Sequence, residues 1–340
     1  MNLRNTNVLF IWEVRDELRK FLEKGVEGIE NIKLVFSEEV EESTLLGIAP
    51  HADILVGWRP SRKLLDAAER MQLFINPGAG VQHHIETFRE INETRQVTLV
   101  NGHGNSYFTA QHAVALLLSL TNKIIPHHGW MREGHWRRGD DHAKSMPLRN
   151  RRIGLLGYGA VNSKVHGFLS GFDVEFSILK RSWTGDETIP TPATRYTPSE
   201  LQEFLHEIDI LIAVVPLTNE TKGMLGLEEL KKLGHEGLLV TLARGDVIDE
   251  EDFYTALKDG LIAGAAIDVW YDYKPEPDEE GRLYPFHYPF NELDNVILSP
   301  HRAASPFSDL ERWNEVIENI KRFADEQTDF MNVVDLERGY

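Results

Sequence analysis

The chain has no cysteine among its 340 residues. That excludes disulfides, thiolate metal sites and a catalytic thiol. Positive charge is scarce: 36 Lys and Arg stand against 54 Asp and Glu, a formal net charge of −18 at pH 7. Nucleic acid is therefore a poor partner, because phosphate binding needs a basic footprint. Long apolar runs are missing. No segment approaches the ~20 apolar residues of a bilayer-spanning helix, and the apolar run 8–12 is too short for a secretory signal. The expectation is a cytoplasmic protein with no membrane contact. Spaced metal ligands are missing too. The pairs His83-His84 and His127-His128 have no third ligand at a motif spacing such as H-E-x-x-H. No metal is expected. His127, His128, Trp130 and Trp136 are expected to line a loop or helix beside an interdomain cleft.

What is present reads as ordinary globular protein. Apolar residues make up 41% and charged residues 26% of the chain. The length allows two domains, each with its own core. Residues 7–12, 32–36, 52–58, 72–75 and 97–100 read as strands, with amphipathic stretches at 14–23 and 61–70 between them. A second series has an apolar helix at 111–120 and strands at 151–156, 174–179, 208–215, 237–242, 265–269 and 295–298. Alternating strand and helix implies parallel sheets covered by helices on both faces. The chain ends in an amphipathic helix, 309–326, and a short polar tail.

One turn in the second series carries chemistry: Arg152-Ile-Gly-Leu-Leu-Gly-Tyr-Gly-Ala-Val-Asn162. Gly157 and Gly159 allow a tight strand-to-helix turn and close approach to a pyrophosphate, which then sits on a helix N-terminus. The third glycine of the G-x-G-x-x-G pattern is replaced by Asn162, a small polar side chain that a slightly wider helix–strand spacing would accommodate. A dinucleotide-binding fold usually places an acid at the end of the next strand, where it accepts from the ribose 2′-OH. Here Lys180, Arg181 and Ser182 stand there. Such a cluster suits a 2′-phosphate, so NADP is expected as the cofactor ahead of NAD.

Further segments fall in a recognisable order: Asn76-Pro-Gly-Ala-Gly-Val81, Thr109-Ala-Gln-His-Ala-Val-Ala-Leu-Leu-Leu118, Leu148-Arg-Asn-Arg-Arg-Ile-Gly154, Val215-Pro-Leu-Thr-Asn-Glu-Thr-Lys-Gly223, Leu242-Ala-Arg-Gly-Asp-Val-Ile-Asp-Glu250, Ala265-Ala-Ile-Asp-Val269 and Asn295-Val-Ile-Leu-Ser-Pro-His301. Taken together they resemble the D-2-hydroxyacid dehydrogenase family along essentially the whole chain. The resemblance implies an α/β protein of two Rossmann- or flavodoxin-like, doubly wound parallel-sheet domains, with the cofactor domain (103–304) inserted into the substrate domain (1–102 and 305–340). It implies a hydride transfer between nicotinamide and a small 2-oxoacid or D-2-hydroxyacid. Arg244 would grip the carboxylate and keto oxygen with its planar fork. His301 would exchange the proton, with a pKa suited to work near neutrality. Backbone N–H groups of Gly78, Ala79 and Gly80 would meet the carboxylate from the other domain. Cofactor contacts are implied at Gly157, Gly159, Ala160 and Val161, at Lys180, Arg181 and Ser182, and at Val215, Pro216, Ala243 and Asp268, the last holding the carboxamide. Relatives are mostly dimers joined through the cofactor domain, so a homodimer is expected.

The chain departs from the family pattern where a Glu usually supports the histidine. Tyr273 stands there, in Asp268-Val-Trp-Tyr-Asp-Tyr-Lys-Pro. A tyrosine hydroxyl can hold an imidazole by a hydrogen bond but does not stabilise imidazolium as a carboxylate does. Asp272, Glu276 and Asp278 are the alternatives from the same segment. Arg59, after Trp58, is placed to select a second anionic group on the substrate, or is a solvated surface residue. Two other functions remain open at this stage: a dinucleotide-binding scaffold with weakened turnover, and an oxidoreductase for another small anion of the formate or phosphite kind.

Overall fold

The computed structural model describes residues 5–137, 141, 143–184 and 187–340. The chain divides into two compact units, Met1–Asn105 with Pro306–Tyr340, and Ser106–Ser305. The first unit runs β1 (Thr6–Phe10), α1 (Asp16–Gly25), β2 (Ile32–Phe36), α2 (Glu42–Ile48), β3 (Ile54–Val56), α3 (Arg62–Ala67), β4 (Leu73–Asn76), α4 (Ile85–Asn92) and β5 (Thr98–Asn101). Its sheet is parallel in the order β2-β1-β3-β4-β5. Val8, Leu9, Phe10, Ile54, Leu55 and Val56 are fully buried. That burial on both faces is what parallel strands under two helix layers require. The terminal helix is Asn314–Ala324, preceded by a 3-10 turn at Glu311–Trp313, so the helix is shorter than 309–326. The tail is not merely polar. Asn101 N–H donates to Asn332 O at 3.1 Å and Val334 N–H to Leu99 O at 2.9 Å, an antiparallel rung on the β5 edge. The Val334 side chain is buried beneath it.

The second unit runs α5 (Ser106–Thr121), α6 (Ile124–Arg132), β6 (Arg152–Leu156), α7 (Ala160–Leu169), β7 (Glu175–Leu179), β8 (Ala193–Tyr196), α8 (Leu201–His206), β9 (Ile210–Ala213), α9 (Leu227–Leu233), β10 (Leu238–Thr241), α10 (Glu250–Lys258), β11 (Gly264–Ile267) and β12 (Val296–Leu298). Its parallel sheet has the order β12-β11-β10-β9-β6-β7-β8. Strand β8 has no counterpart in the apolar runs. It is an edge strand, and Thr194 and Arg195 face solvent. The order reverses beside β6, between β7 and β9. Ligands of open α/β sheets bind at such a switch point, outside the carboxyl ends of the strands. Helix α5 is apolar almost all round and packs on α7 and the sheet, as such a helix must.

Candidate active site

At the switch point the β6–α7 turn is shaped by its glycines. Gly157 has φ +81°, and a Cβ there would lie 2.4 Å from Val214 O and 2.8 Å from Val215 Cγ1. Only glycine fits. Gly159 precedes α7 with no side-chain cap, and a Cβ built on it would meet nothing within 4 Å. The space beside Gly159 at the start of α7 is therefore open, which suits a pyrophosphate on a helix N-terminus. Asn162 has a bonding role that the glycine pattern does not suggest. Its buried amide nitrogen donates to Gly157 O at 2.7 Å, Leu156 O at 3.2 Å and Ile212 O at 3.3 Å. It ties α7 to β6 and β9, where the third glycine would otherwise allow bare contact.

Beyond β7, Lys180 donates to both carboxylate oxygens of Glu187, each at 2.6 Å. Arg181 pairs with Glu220, and Ser182 is exposed. Two cations approach the Trp183 ring, Lys180 Nζ at 4.8 Å and Arg195 Cζ at 4.6 Å from its centroid. Val215 and Pro216 form the irregular exit from β9, where Pro216 O accepts the Thr221 hydroxyl at 2.6 Å.

The strand ends β10, β11 and β12 carry a second cluster. Arg244 follows β10, partly buried, and among the described residues its side chain makes one hydrogen bond, from Nη1 to Ala243 O at 2.6 Å. Among the described residues it has no carboxylate partner, and burial pushes its pKa down while the nearby Tyr273 opposes. Asp268, after β11, is fully buried. It accepts the Ser299 hydroxyl, the Arg302 N–H at 2.8 Å and the Ala303 N–H at 3.0 Å. His112 on α5 reaches Ser299 Oγ at 2.9 Å and Asp268 Oδ1 at 3.5 Å. Burial alone would raise the Asp268 pKa; these bonds outweigh it and hold the carboxyl below its ordinary value. Asp268 is thus first an anchor for the loop that carries His301.

His301 sits in that loop with φ +54°, a left-handed conformation costly for a non-glycine residue. Its side chain keeps a solvent-facing surface, yet crowding by protein atoms pushes its pKa below the ordinary histidine value. The Arg244 charge adds to this, and Asp268 opposes it.

Tyr273 does not hold His301 through its hydroxyl. The two rings meet edge to face, with centroids 5.3 Å apart, and the hydroxyl accepts the Trp270 N–H at 3.3 Å. The alternative acids are largely committed elsewhere. Asp272 accepts the Lys274 N–H at 2.8 Å, and Asp278 is bound by Arg282 Nε at 2.7 Å and by loop N–H groups. Trp270 anchors this segment. Its indole N–H donates to Ser299 O at 2.8 Å, and its ring packs on Phe286 and Phe290.

In the first unit, the loop after β4 has its carbonyls tied down and its amides free. Asn76 Nδ2 donates to Gly78 O and Gly80 O, Asn101 Nδ2 to Ala79 O at 2.9 Å, and His84 N to Val81 O at 2.8 Å. The N–H groups of Gly78, Ala79 and Gly80 have no partner among the described residues. Successive outward N–H groups make an anion-binding concavity. The Trp58 indole nitrogen borders it, 3.4 Å from the position a Cβ on Gly78 would take. Arg59, with φ +50°, lines an open pocket of about 370 Å3 with Trp12, Trp58, Leu45 and Leu64. Burial first, then the Arg59 charge, lowers the His83 pKa.

The histidine pairs serve elsewhere. His84 is buried against Phe74 and Phe88, with its pKa lowered to about 4 by burial. His127 and His128 lie on α6, where His127 Nε2 contacts Ala143 O at 3.0 Å and its ring packs on Trp130; Trp136 lies just beyond and is exposed. Among the described residues no group of three or more His, Asp or Glu is placed to hold a metal. His112, Ser299 and Glu187 were not singled out by sequence. Only His112 left a trace, as a lone imidazole on an otherwise apolar helix.

Known proteins resemble this chain along most of its length. Residues 114–303 match the family model for the D-isomer specific 2-hydroxyacid dehydrogenase, NAD binding domain. A glyoxylate reductase of Thermococcus onnurineus is 31% identical over 317 residues, covering 88% of this chain and 89% of the relative. Among solved structures, the D-isomer specific 2-hydroxyacid dehydrogenase of Xanthobacter autotrophicus, in complex with NADPH and MES, superposes with TM-score 0.78 at 23% identity, covering 99% of this chain and 100% of that one. The NADPH-dependent glyoxylate/hydroxypyruvate reductase of Sinorhizobium meliloti, in complex with NADP and malonate, gives 0.70 at 21% identity, each chain 98% covered. The chain belongs to the D-isomer specific 2-hydroxyacid dehydrogenase family. Its reaction class is NAD(P)-dependent oxidoreduction of a 2-hydroxyacid.

Proposed function

We propose that the protein reduces a small 2-oxoacid with NADPH, in the reversible sense of its family. One observation carries the reading: Arg244 is a partly buried guanidinium with no carboxylate partner among the described residues, and its charge acts on His301. A desolvated cation without a counter-ion is a site for an anion. Its remaining donors bind the substrate carboxylate and keto oxygen. His301 gives its proton to that oxygen as the alkoxide charge develops. Tyr273 orients the imidazole by ring contact. In the first unit, the Gly78–Gly80 amides are suited to an oxyanion and Arg59 to a further anionic group. When bound, the reduced nicotinamide supplies the hydride. Gly157, Gly159, Ala160 and Val161 cradle its pyrophosphate, and Lys180, Arg181 and Ser182 receive the 2′-phosphate. Val215, Pro216 and Ala243 line its path, and Asp268, fully buried, serves the site by anchoring the loop that carries His301.

The two solved relatives are complexes with NADPH and with NADP, which supports that preference. The face of α6 and the turn after it support a homodimer: Ile124, Ile125, Met131 and Trp136 are 50%, 55%, 55% and 69% exposed. A patch of that kind calls for cover. The proposed location is cytoplasmic; among the described residues no helix is long and apolar enough to cross a membrane. The decisive assay follows NADPH oxidation with glyoxylate, hydroxypyruvate and larger 2-oxoacids, with formate and phosphite plus NADP as the opposite arm. Turnover of a 2-oxoacid that disappears in Arg244→Ala supports the reading. Turnover of formate or phosphite alone overturns it.

A further inference from the structure

The cation assigned to the 2′-phosphate already has an anion. Lys180 Nζ binds both oxygens of Glu187 at 2.6 Å. Glu187 is held there by the Thr184 N–H at 3.1 Å and the Thr184 hydroxyl at 2.9 Å. Lys180 Nζ also lies over the Trp183 ring, 4.8 Å from its centroid. An ammonium has three donors, so one carboxylate claims two of them. We propose that Glu187 is a tethered counter-anion that competes with the cofactor 2′-phosphate for Lys180 and so sets how strongly NADP is separated from NAD. This rests on the NADP reading above.

A phosphate at Lys180 meets the Glu187 carboxylate, and like charges in contact repel. The pair must open before the phosphate binds. Opening is feasible, because Thr184 is exposed and the Lys180 and Glu187 side chains keep 22% of their surfaces. A ribose 2′-hydroxyl faces no such conflict, since it can donate to the same carboxylate. Glu187 therefore weakens NADP binding while tolerating NAD. Arg181 differs: its partner Glu220 is 69% exposed, and an exposed pair yields readily.

The test is equilibrium binding, by fluorescence titration or calorimetry, of NADPH, NADH, adenosine 2′,5′-bisphosphate and AMP. The proteins are wild type, Glu187→Gln, Glu187→Ala and Lys180→Met. If the pair is closed about nine-tenths of the time, opening it permanently tightens NADPH and the bisphosphate roughly tenfold. Both Glu187 variants are expected to show that gain, with NADH and AMP unchanged or weaker. Lys180→Met is expected to weaken NADPH and the bisphosphate selectively. Weaker or unchanged NADPH binding in both Glu187 variants, with Lys180→Met still harmful, overturns the counter-anion role and leaves the NADP reading standing. NADPH and bisphosphate binding untouched by Lys180→Met overturns both.

Discussion

Asp268 accepts the backbone N–H of Ala303 at 3.0 Å, and the same carboxylate takes the Arg302 N–H at 2.8 Å. His301 immediately precedes these two residues, in a left-handed backbone conformation. The buried acid therefore holds the strained loop that presents the proposed proton donor. Asp268→Asn removes the charge and turns an amide toward N–H groups that need an acceptor. A loss of ~1–3 kcal/mol in unfolding free energy is expected from the unsatisfied donors, together with a fall in kcat. Its native carboxyl titrates below the ordinary value. The stability it contributes is full above the unfolded-state value of about 4 and is lost as pH falls through the lower folded-state value. Urea titrations at pH 7 and below about pH 4 check this; equal stability of wild type and variant at pH 7 would remove the anchor.

Arg244→Lys keeps the charge and loses the fork. Two charge-assisted hydrogen bonds are worth ~1.5–3 kcal/mol each, so a loss of one bond alone lowers kcat/KM roughly tenfold to a hundredfold. Cofactor affinity should stay within a factor of about two, because the residue serves the substrate oxygens. Steady-state kinetics paired with NADPH titration separates the effects. Wild-type kcat/KM in the lysine variant would show that the planar fork is not used.

Gly157→Ala places a methyl group 2.4 Å from Val214 O at a φ of +81°. The left-handed conformation costs a non-glycine residue ~1–3 kcal/mol, and the contact adds to it. Dinucleotide affinity should fall with stability, since the turn must shift. Gly159→Ala meets no protein atom within 4 Å, so its fold should survive while its methyl group intrudes on the proposed pyrophosphate space. Thermal melts and NADPH titrations of both variants check the contrast; unimpaired NADPH binding by Gly159→Ala would move the pyrophosphate elsewhere.

The strand ends were legible because buried parallel strands are continuous apolar runs. The motif residues Gly157, Arg244, Asp268 and His301 follow those runs directly. Strand β8 was not, since its solvated Thr194 and Arg195 break any such run. The support of His301 was also hidden. His112 and Ser299 lie 187 residues apart in sequence and meet only when α5 lies on the sheet. Tyr273 shows a different limit. Its position was readable as the departure from the family pattern, but which atoms face the histidine depends on the Trp270 N–H taking the hydroxyl. Glu187 was invisible because its role is defined only by the lysine it binds.

Tyr273 and His301 yield the last prediction. Reduction requires the imidazolium form as proton donor. Crowding and the Arg244 charge hold the His301 pKa below its usual value, and among the acids Asp268 opposes this from the loop anchor. The reduction rate should therefore fall as pH rises through a value below the unperturbed ~6.5. Oxidation of the hydroxyacid, which needs the neutral imidazole, should rise over that same range and reach its plateau above it. Tyr273→Glu puts a carboxylate beside the ring, favours imidazolium, and should move the basic limb of the reduction profile upward. Tyr273→Phe keeps the edge-to-face contact and loses only the acceptor for the Trp270 N–H, so it should lower the rate modestly and leave the limb where it is. Pre-steady-state reduction rates across pH for the three proteins decide the matter. A limb that stays put in Tyr273→Glu, or moves equally in Tyr273→Phe, would show that position 273 does not tune His301 through charge.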